Sequence, residues 1–252
     1  MEDIPKPVFI KHDDIPHDVL TRNQVRTINV IIGRSRCLST EASTSIDKLL
    51  GTGAVQIISK YCKSRIMTIN FNPYLFTEFM KSDHYKSRYE VSDVISTSRS
   101  LVEDKIFLDL YKDSPNIERP KYGSLDIHNK PGVDARGYGE CYFILDESVR
   151  RRVTVTNCDS FNPSAVTGVC DWMMHVIAKL SKQELQIIYD IACGKIDTTP
   201  VKFSYVEIQI HGLLRFTHDI AEIHVPHNLD KKLVHDGLMF AEKFGIKFVV
   251  DE

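Results

Sequence analysis

The clearest candidate for chemistry is Glu207, inside the segment Y-V-E-I-Q-I at 205–210. Side chains alternate across a strand, so Glu207 shares a face with Tyr205 and Gln209, while Val206, Ile208 and Ile210 face the other way. Such a face is either solvated, as on many antiparallel sheets, or the lining of a cleft holding one carboxylate. Two further apolar runs end in polar residues: 65–71 is followed by Asn72 and contains Asn70, and 91–98 closes on Ser96, Thr97 and Ser98. Polar groups at such places are what a ligand cleft needs.

Other chemistries fit less well. Five of the ten histidines fall between 211 and 235, among them His211, His218, His224 and His227. A metal site favours i, i+4 pairs on a helix or alternate residues on a strand, with a carboxylate as a further ligand. His224 and His227 flank Pro226 at i, i+3 and suit neither, so no metal is expected. Cys141 or Cys158 can be paired with a distant histidine as a nucleophile, but nothing local marks either thiol as activated. There is no G-x-x-x-x-G-K-[ST] and no G-x-S-x-G, and G-Y-G-E at 137–140 is too short to cradle a phosphate.

The elements that must carry these residues change in texture along the chain. Pro16 can open a helix whose stripe is Val19, Val25, Ile28 and Ile32, ended by Gly33. The cluster S-T-E-A-S-T-S at 39–45 reads as the cap and polar face of a second helix carrying Ile46, Leu49 and Leu50. Gly51 and Gly53 interrupt before a third helical stretch at 55–62. From residue 64 short strands are expected at 65–71, 91–98, 122–127, 140–145, 152–156 and 201–210. Helices are expected at 101–111, 165–179, 182–193 and 229–244, with a last strand at 246–250. The capping box S-K-Q-E at 181–184 marks one helix start. The sum is an α+β protein: a helical segment over 1–63 packed on a core of 64–252.

Composition sets the class. Apolar residues make up 42% and charged residues 26%, a globular balance rather than a disordered one. A formal charge of −2, from 32 basic and 34 acidic residues, removes the electrostatic case for a nucleic-acid partner. No apolar run reaches the ~18 residues of a membrane helix. The first residues, M-E-D-I-P-K-P, do not read as a secretory signal. A cytoplasmic protein is therefore expected, its six scattered cysteines reduced and packed as small hydrophobes.

Six blocks in order carry a resemblance: T-I-N-F-N-P (68–73), Y-K-S-R-Y-E-V-S-D-V-I-S (85–96), E-R-P-K-Y-G-S-L (118–125), R-G-Y-G-E-C-Y-F (136–143), R-R-V-T-V-T-N-C-D-S (151–160) and Y-V-E-I-Q-I-H-G (205–212). Over roughly 65–225 they resemble the mainly bacterial domain-of-unknown-function family 3626. More distantly, the order is similar to the ADP-ribosyltransferase superfamily. That resemblance implies mixed or antiparallel sheets behind the helical layer, with NAD as substrate and a protein or small-molecule acceptor.

The same resemblance assigns roles. The position that anchors NAD falls at Asn72 or, less naturally, Arg65; Ser96, Thr97 and Ser98 support the nicotinamide pocket; Glu207 is the catalytic carboxylate. Tyr122 or Tyr138 would stack on nicotinamide, and Arg119 or Arg136 would meet the pyrophosphate. Two departures shape the expectation. Related bacterial sequences have His where Asn72 stands, and Tyr205 replaces the Glu or Gln that arginine-modifying transferases place two residues before the catalytic Glu. Arginine is thus disfavoured as acceptor, NAD hydrolysis stays open, and the alternative is a non-catalytic nucleotide- or protein-binding module.

Overall fold

The computed structural model describes residues 19–91, 97–112, 114–199 and 205–251. It opens with a 29-residue helix, α1 (Arg22–Leu50), started by a capping box in which Thr21 and Gln24 satisfy each other's backbone N–H groups. Gly33 does not end this helix, and the 39–45 cluster lies inside it rather than at a cap. A mid-helix glycine costs about 1 kcal/mol; buried Ile28, Ile31, Ile32, Ser35 and Ser39 on both sides of it hold the helix to the rest of the protein. Pro16 lies outside the described residues. Gly51, at φ +109°, turns the chain into α2 (Ala54–Lys63).

There follow β1 (Met67–Phe71), α3 (Phe76–Phe79), α4 (Arg88–Val91), α5 (Thr97–Ile106), β2 (Lys121–Leu125), β3 (Cys141–Leu145), β4 (Val153–Thr156) and β5 (Thr167–Val169). The chain continues through α6 (Met174–Ile177), α7 (Lys182–Ala192), β6 (Val206–Ile210), α8 (Phe216–Asp219), β7 (Ile220–Pro226), α9 (Lys231–Phe244) and β8 (Lys247–Asp251).

One open sheet of eight strands, ordered β5-β4-β6-β2-β1-β3-β7-β8, forms the centre. Every pairing is antiparallel except β7 with β8, which α9 connects in parallel. The architecture is α+β, as expected. Two local expectations fail. Of the strand expected at 91–98, residues 92–96 lie outside the described residues, while Val91 closes α4 and Thr97 and Ser98 open α5; Glu103 and Ile106 of α5 and Phe107 just after it are buried. The helix expected at 165–179 is instead β5 and the single turn α6, while β7 carries His224 where no strand was expected.

The two faces of the sheet differ in chemistry. One is apolar: Ile69, Phe71, Phe143, Ile208, Ile223 and Val225 pack with Ile58 of α2, Ile188 of α7 and Phe240 of α9 in one core. Phe71 stacks on Phe143 at 4.4 Å between ring centroids, at the middle of this aromatic packing. The opposite face is polar, with Ser124 across from Glu207, and Tyr122 and Thr154 flanking Gln209. It is not solvated: all five residues of β6 are buried. A second apolar cluster, including Leu20, Ile28, Ile31, Phe107, Tyr111 and Val169, roofs part of it. Ser39 Oγ, 2.9 Å from His175 Nδ1, pins α1 to α6.

Candidate active site

The polar face is left open over β1, β2 and β6, where a cavity of about 300 Å³ is lined by Glu207, Asp159, five tyrosines and two arginines. Glu207 reaches it because the period-two alternation of β6 turns it away from the apolar core. Its residue is only 5% exposed. Oε1 accepts from the Gln209 amide at 2.9 Å and from the Ser160 backbone N–H at 3.3 Å, and Oε2 accepts from the Tyr205 hydroxyl at 3.2 Å. Burial pushes its pKa above the ordinary glutamate value; the Ser160 and Gln209 donors pull against that, and nearby Asp159 adds to the rise.

Tyr138 enters from the 3-10 turn Arg136–Tyr138, held by the close approach of Gly139 to the Phe71 backbone. Its hydroxyl lies 2.9 Å from both Asp159 Oδ2 and the Tyr205 hydroxyl. Tyr122, on β2, donates to Glu103 Oε1 at 2.6 Å. The Arg99 guanidinium lies over the rings of Tyr122 at 4.8 Å and Phe161 at 5.0 Å. Arg88 stands exposed at the rim. Neither arginine has a carboxylate partner among the described residues. The cavity therefore sets a carboxylate among aromatic rings at one side and two cations at another, which suits a ligand that is anionic in one part and electron-poor in another.

The expected residues divide. Glu207, Tyr122 and Tyr138 line the cavity together. Arg119 does not: it is buried behind the wall, donating to Glu103 Oε2 at 2.8 Å. Arg136 is exposed and outside the lining. Asn72 caps the turn Pro73–Leu75 through Tyr74 N–H at 3.1 Å and also stays outside; the lining takes Asn70 and Phe71 from this strand instead. Arg65, ahead of β1, donates to Asn129 Oδ1 at 2.9 Å and likewise does not line it. Ser96 lies outside the described residues. Thr97 and Ser98 begin α5 rather than ending a strand, and Ser98 is not part of the lining.

Sequence reasoning missed Arg88, Arg99, Asp159 and Tyr205. Arg88 and Asp159 stood inside blocks already singled out, and Tyr205 is on the Glu207 face, so the block boundaries were the available signal. Arg99 had none beyond following Ser98. Among the described residues no group of three His, Cys, Asp or Glu is arranged to hold a metal ion, and no helix is long and apolar enough to cross a membrane.

This chain belongs to the family described as "Protein of unknown function (DUF3626)", whose model matches residues 79–204, half of its length. The matched span holds Arg88, Arg99, Tyr122, Tyr138 and Asp159; Tyr205 and Glu207 lie just past its end, as the 68–73 block lies before its start. No curated protein matches the chain.

Proposed function

We propose that the protein is an NAD-consuming enzyme of ADP-ribosyltransferase type, with Glu207 as its catalytic carboxylate. The observation that carries this reading is Glu207 itself: a nearly buried carboxylate, held by three donors, opening into a cavity walled by tyrosines. A volume of about 300 Å³ is at the small end for ligand sites, and suits the nicotinamide–ribose end of NAD.

In this reading the bond from ribose C1′ to the nicotinamide nitrogen breaks, and its electron pair leaves with neutral nicotinamide. The sugar passes through an oxocarbenium-like cation, as in glycoside hydrolysis. Glu207 accepts a ribose hydroxyl and stabilises the positive charge as it develops. Water, or a nucleophile on a protein or small-molecule acceptor, then attacks C1′ and gives up its proton. Tyr138 and Tyr205 supply the aromatic walls for nicotinamide. Arg99 and Arg88, rather than Arg119 or Arg136, meet the pyrophosphate.

The second reading, a non-catalytic nucleotide-binding module, is favoured by Asn72, which lies outside the cavity lining. Nicotinamide release from NAD by the wild type and by Glu207→Gln separates the two. The enzyme reading expects a loss of ~100-fold or more in the variant. Calorimetric NAD binding with background release from both proteins would establish the module instead.

A further inference from the structure

Behind Glu207 runs a chain of buried side chains that the proposed reaction does not use. Glu207, Gln209 and His211 occupy alternate positions at β6 and just past it. Thr156 and Thr154 of β4 stand in register opposite Glu207 and Gln209. Gln209 Nε2 donates to Glu207 Oε1 at 2.9 Å and to Thr156 Oγ1 at 3.0 Å. Thr156 sends its own hydroxyl proton to Cys158 O at 2.8 Å. On its other side, Gln209 Oε1 accepts from Thr154 Oγ1 at 2.9 Å.

The rest follows from counting protons. A threonine hydroxyl has one proton. Thr154 gives its proton to Gln209, so at 3.0 Å from His211 Nε2 it can only accept. His211 is fully buried, and burial, with Arg152 and Lys121 adding, holds its pKa down to about 3, so the ring is neutral. With its one proton on Nε2, Nδ1 is bare and accepts from the Tyr111 hydroxyl at 2.6 Å. A carboxylate offers only acceptors, so an ionised Glu207 turns the Gln209 amide one way and fixes every link behind it. Protonating Glu207 would let the amide turn over. The chain would then reverse, moving the His211 proton to Nδ1 and leaving the buried Tyr111 hydroxyl without an acceptor there, which is unfavourable.

We propose that Tyr111, His211, Thr154 and Gln209 form a one-way hydrogen-bond chain that holds Glu207 ionised and in one orientation. Gln209, Thr154 and His211 are thus positioning residues. The catalytic meaning of this chain rests on the reading of Glu207 above; its existence does not. The other titratable or charged groups around Glu207 are Asp159 and Cys158 after β4, Tyr205 on its own strand, Tyr122 of β2, Tyr138 of the 3-10 turn and Arg99 of α5. None of them is hydrogen-bonded to Thr154 among the described residues, and the hydrogen bonds that join Thr154 to Glu207 run through Gln209.

The test uses full-length protein labelled with ¹⁵N-histidine and ¹³C-glutamate, read by NMR, with Glu207 assigned by the signal lost in Glu207→Gln. His211 should carry its proton on Nε2 at neutral pH. Thr154→Val keeps the shape and removes the link; Glu207 should then titrate about one pH unit higher. Thr154→Ser should restore the wild-type titration. If nicotinamide release is observed, Thr154→Val should lower kcat about tenfold with KM little changed, and Thr154→Ser should recover it. Should Thr154→Val lower the melting temperature, Gln209→Met is measured in the same way, with the same rise expected. A His211 proton on Nδ1 in the wild type, or a Glu207 titration unmoved by these variants, would overturn the chain. Absence of nicotinamide release from the wild type would sink the transferase reading alone, since tautomer and titration remain measurable.

Discussion

The Tyr122 hydroxyl donates to Glu103 Oε1 at 2.6 Å, so the β2 wall of the cavity hangs on a carboxylate of α5 that has no contact with solvent. The other Glu103 oxygen takes the Arg119 guanidinium at 2.8 Å, the two side chains being 0% and 5% exposed. Glu103→Gln would leave that buried guanidinium uncompensated. Such a loss costs about 3–5 kcal/mol. Urea denaturation followed by Trp172 fluorescence should show the midpoint falling accordingly; a midpoint within error of wild type would mean that Arg119 finds another partner.

Arg99 and Arg119 should therefore behave differently. Arg99→Ala is expected to weaken NAD and ADP-ribose binding about tenfold by calorimetry, the scale of one charge-assisted hydrogen bond. Its effect on the melting temperature should be small. Arg119→Ala should do the reverse, lowering stability through Glu103. Equal effects of both on binding would count against Arg99 as the anion contact.

Asp126 gives a pH signature away from the cavity. Its Oδ1 accepts from Lys130 N–H at 2.6 Å, while Oδ2 is buried without a partner. Burial, with Asp134 adding, pushes its pKa from 3.8 up to about 6, against the Lys130 hydrogen bond, Arg65 and His128. Between these values the folded protein keeps a proton that the unfolded chain releases. The stability Asp126 contributes is therefore complete below pH 3.8 and lost as pH rises through 6. Asp126→Asn lacks this loss, so its stability relative to wild type should improve by about 3 kcal/mol between pH 3.5 and pH 7. Denaturation midpoints across that range check the sign: a gap independent of pH would refute it.

The thiols divide by access. Cys37 and Cys193 are exposed, while burial pushes the Cys62 and Cys141 thiols up to about 12 and Cys170 up to about 11. Half-buried Cys158 is raised as well, first by burial and then by Asp159. Ellman's reagent at pH 8 should find two fast thiols, with the others reacting on unfolding or, for Cys158, slowly. Four fast thiols would show that the β3 or α2 packing opens readily.

What the sequence made legible was periodicity. The alternation of Val206–Ile210 and the capping box at Ser181 located β6 and α7, because each signal is local to its element. The burial of the Glu207 face was not legible. It depends on Phe107 and Tyr111, about a hundred residues earlier in the chain, packing against His211. The helical start at Thr97 and Ser98 was not legible, because Val and Ile just before it favour strands locally, whereas the helix that begins there is held by the burial of Glu103 and Ile106. Glu207, Tyr122 and Tyr138, singled out by type and order, do line one cavity. Arg99 was not singled out, since its place there comes from two rings, Tyr122 and Phe161, that are distant in sequence.

The chemical division of the central sheet has an evolutionary reading. Along β6, Val206, Ile208 and Ile210 pack in the apolar core, while Glu207 lines the cavity and Gln209 joins the hydrogen-bonded chain behind it. Neighbouring codons on this strand thus fall under unrelated selective pressures. A lineage can reshape the polar face by changing odd-numbered positions while its even-numbered ones keep the fold within tolerance. A deep mutational scan of five consecutive residues would register that as a sawtooth: abundance collapsing at every second site, with function alone failing in between.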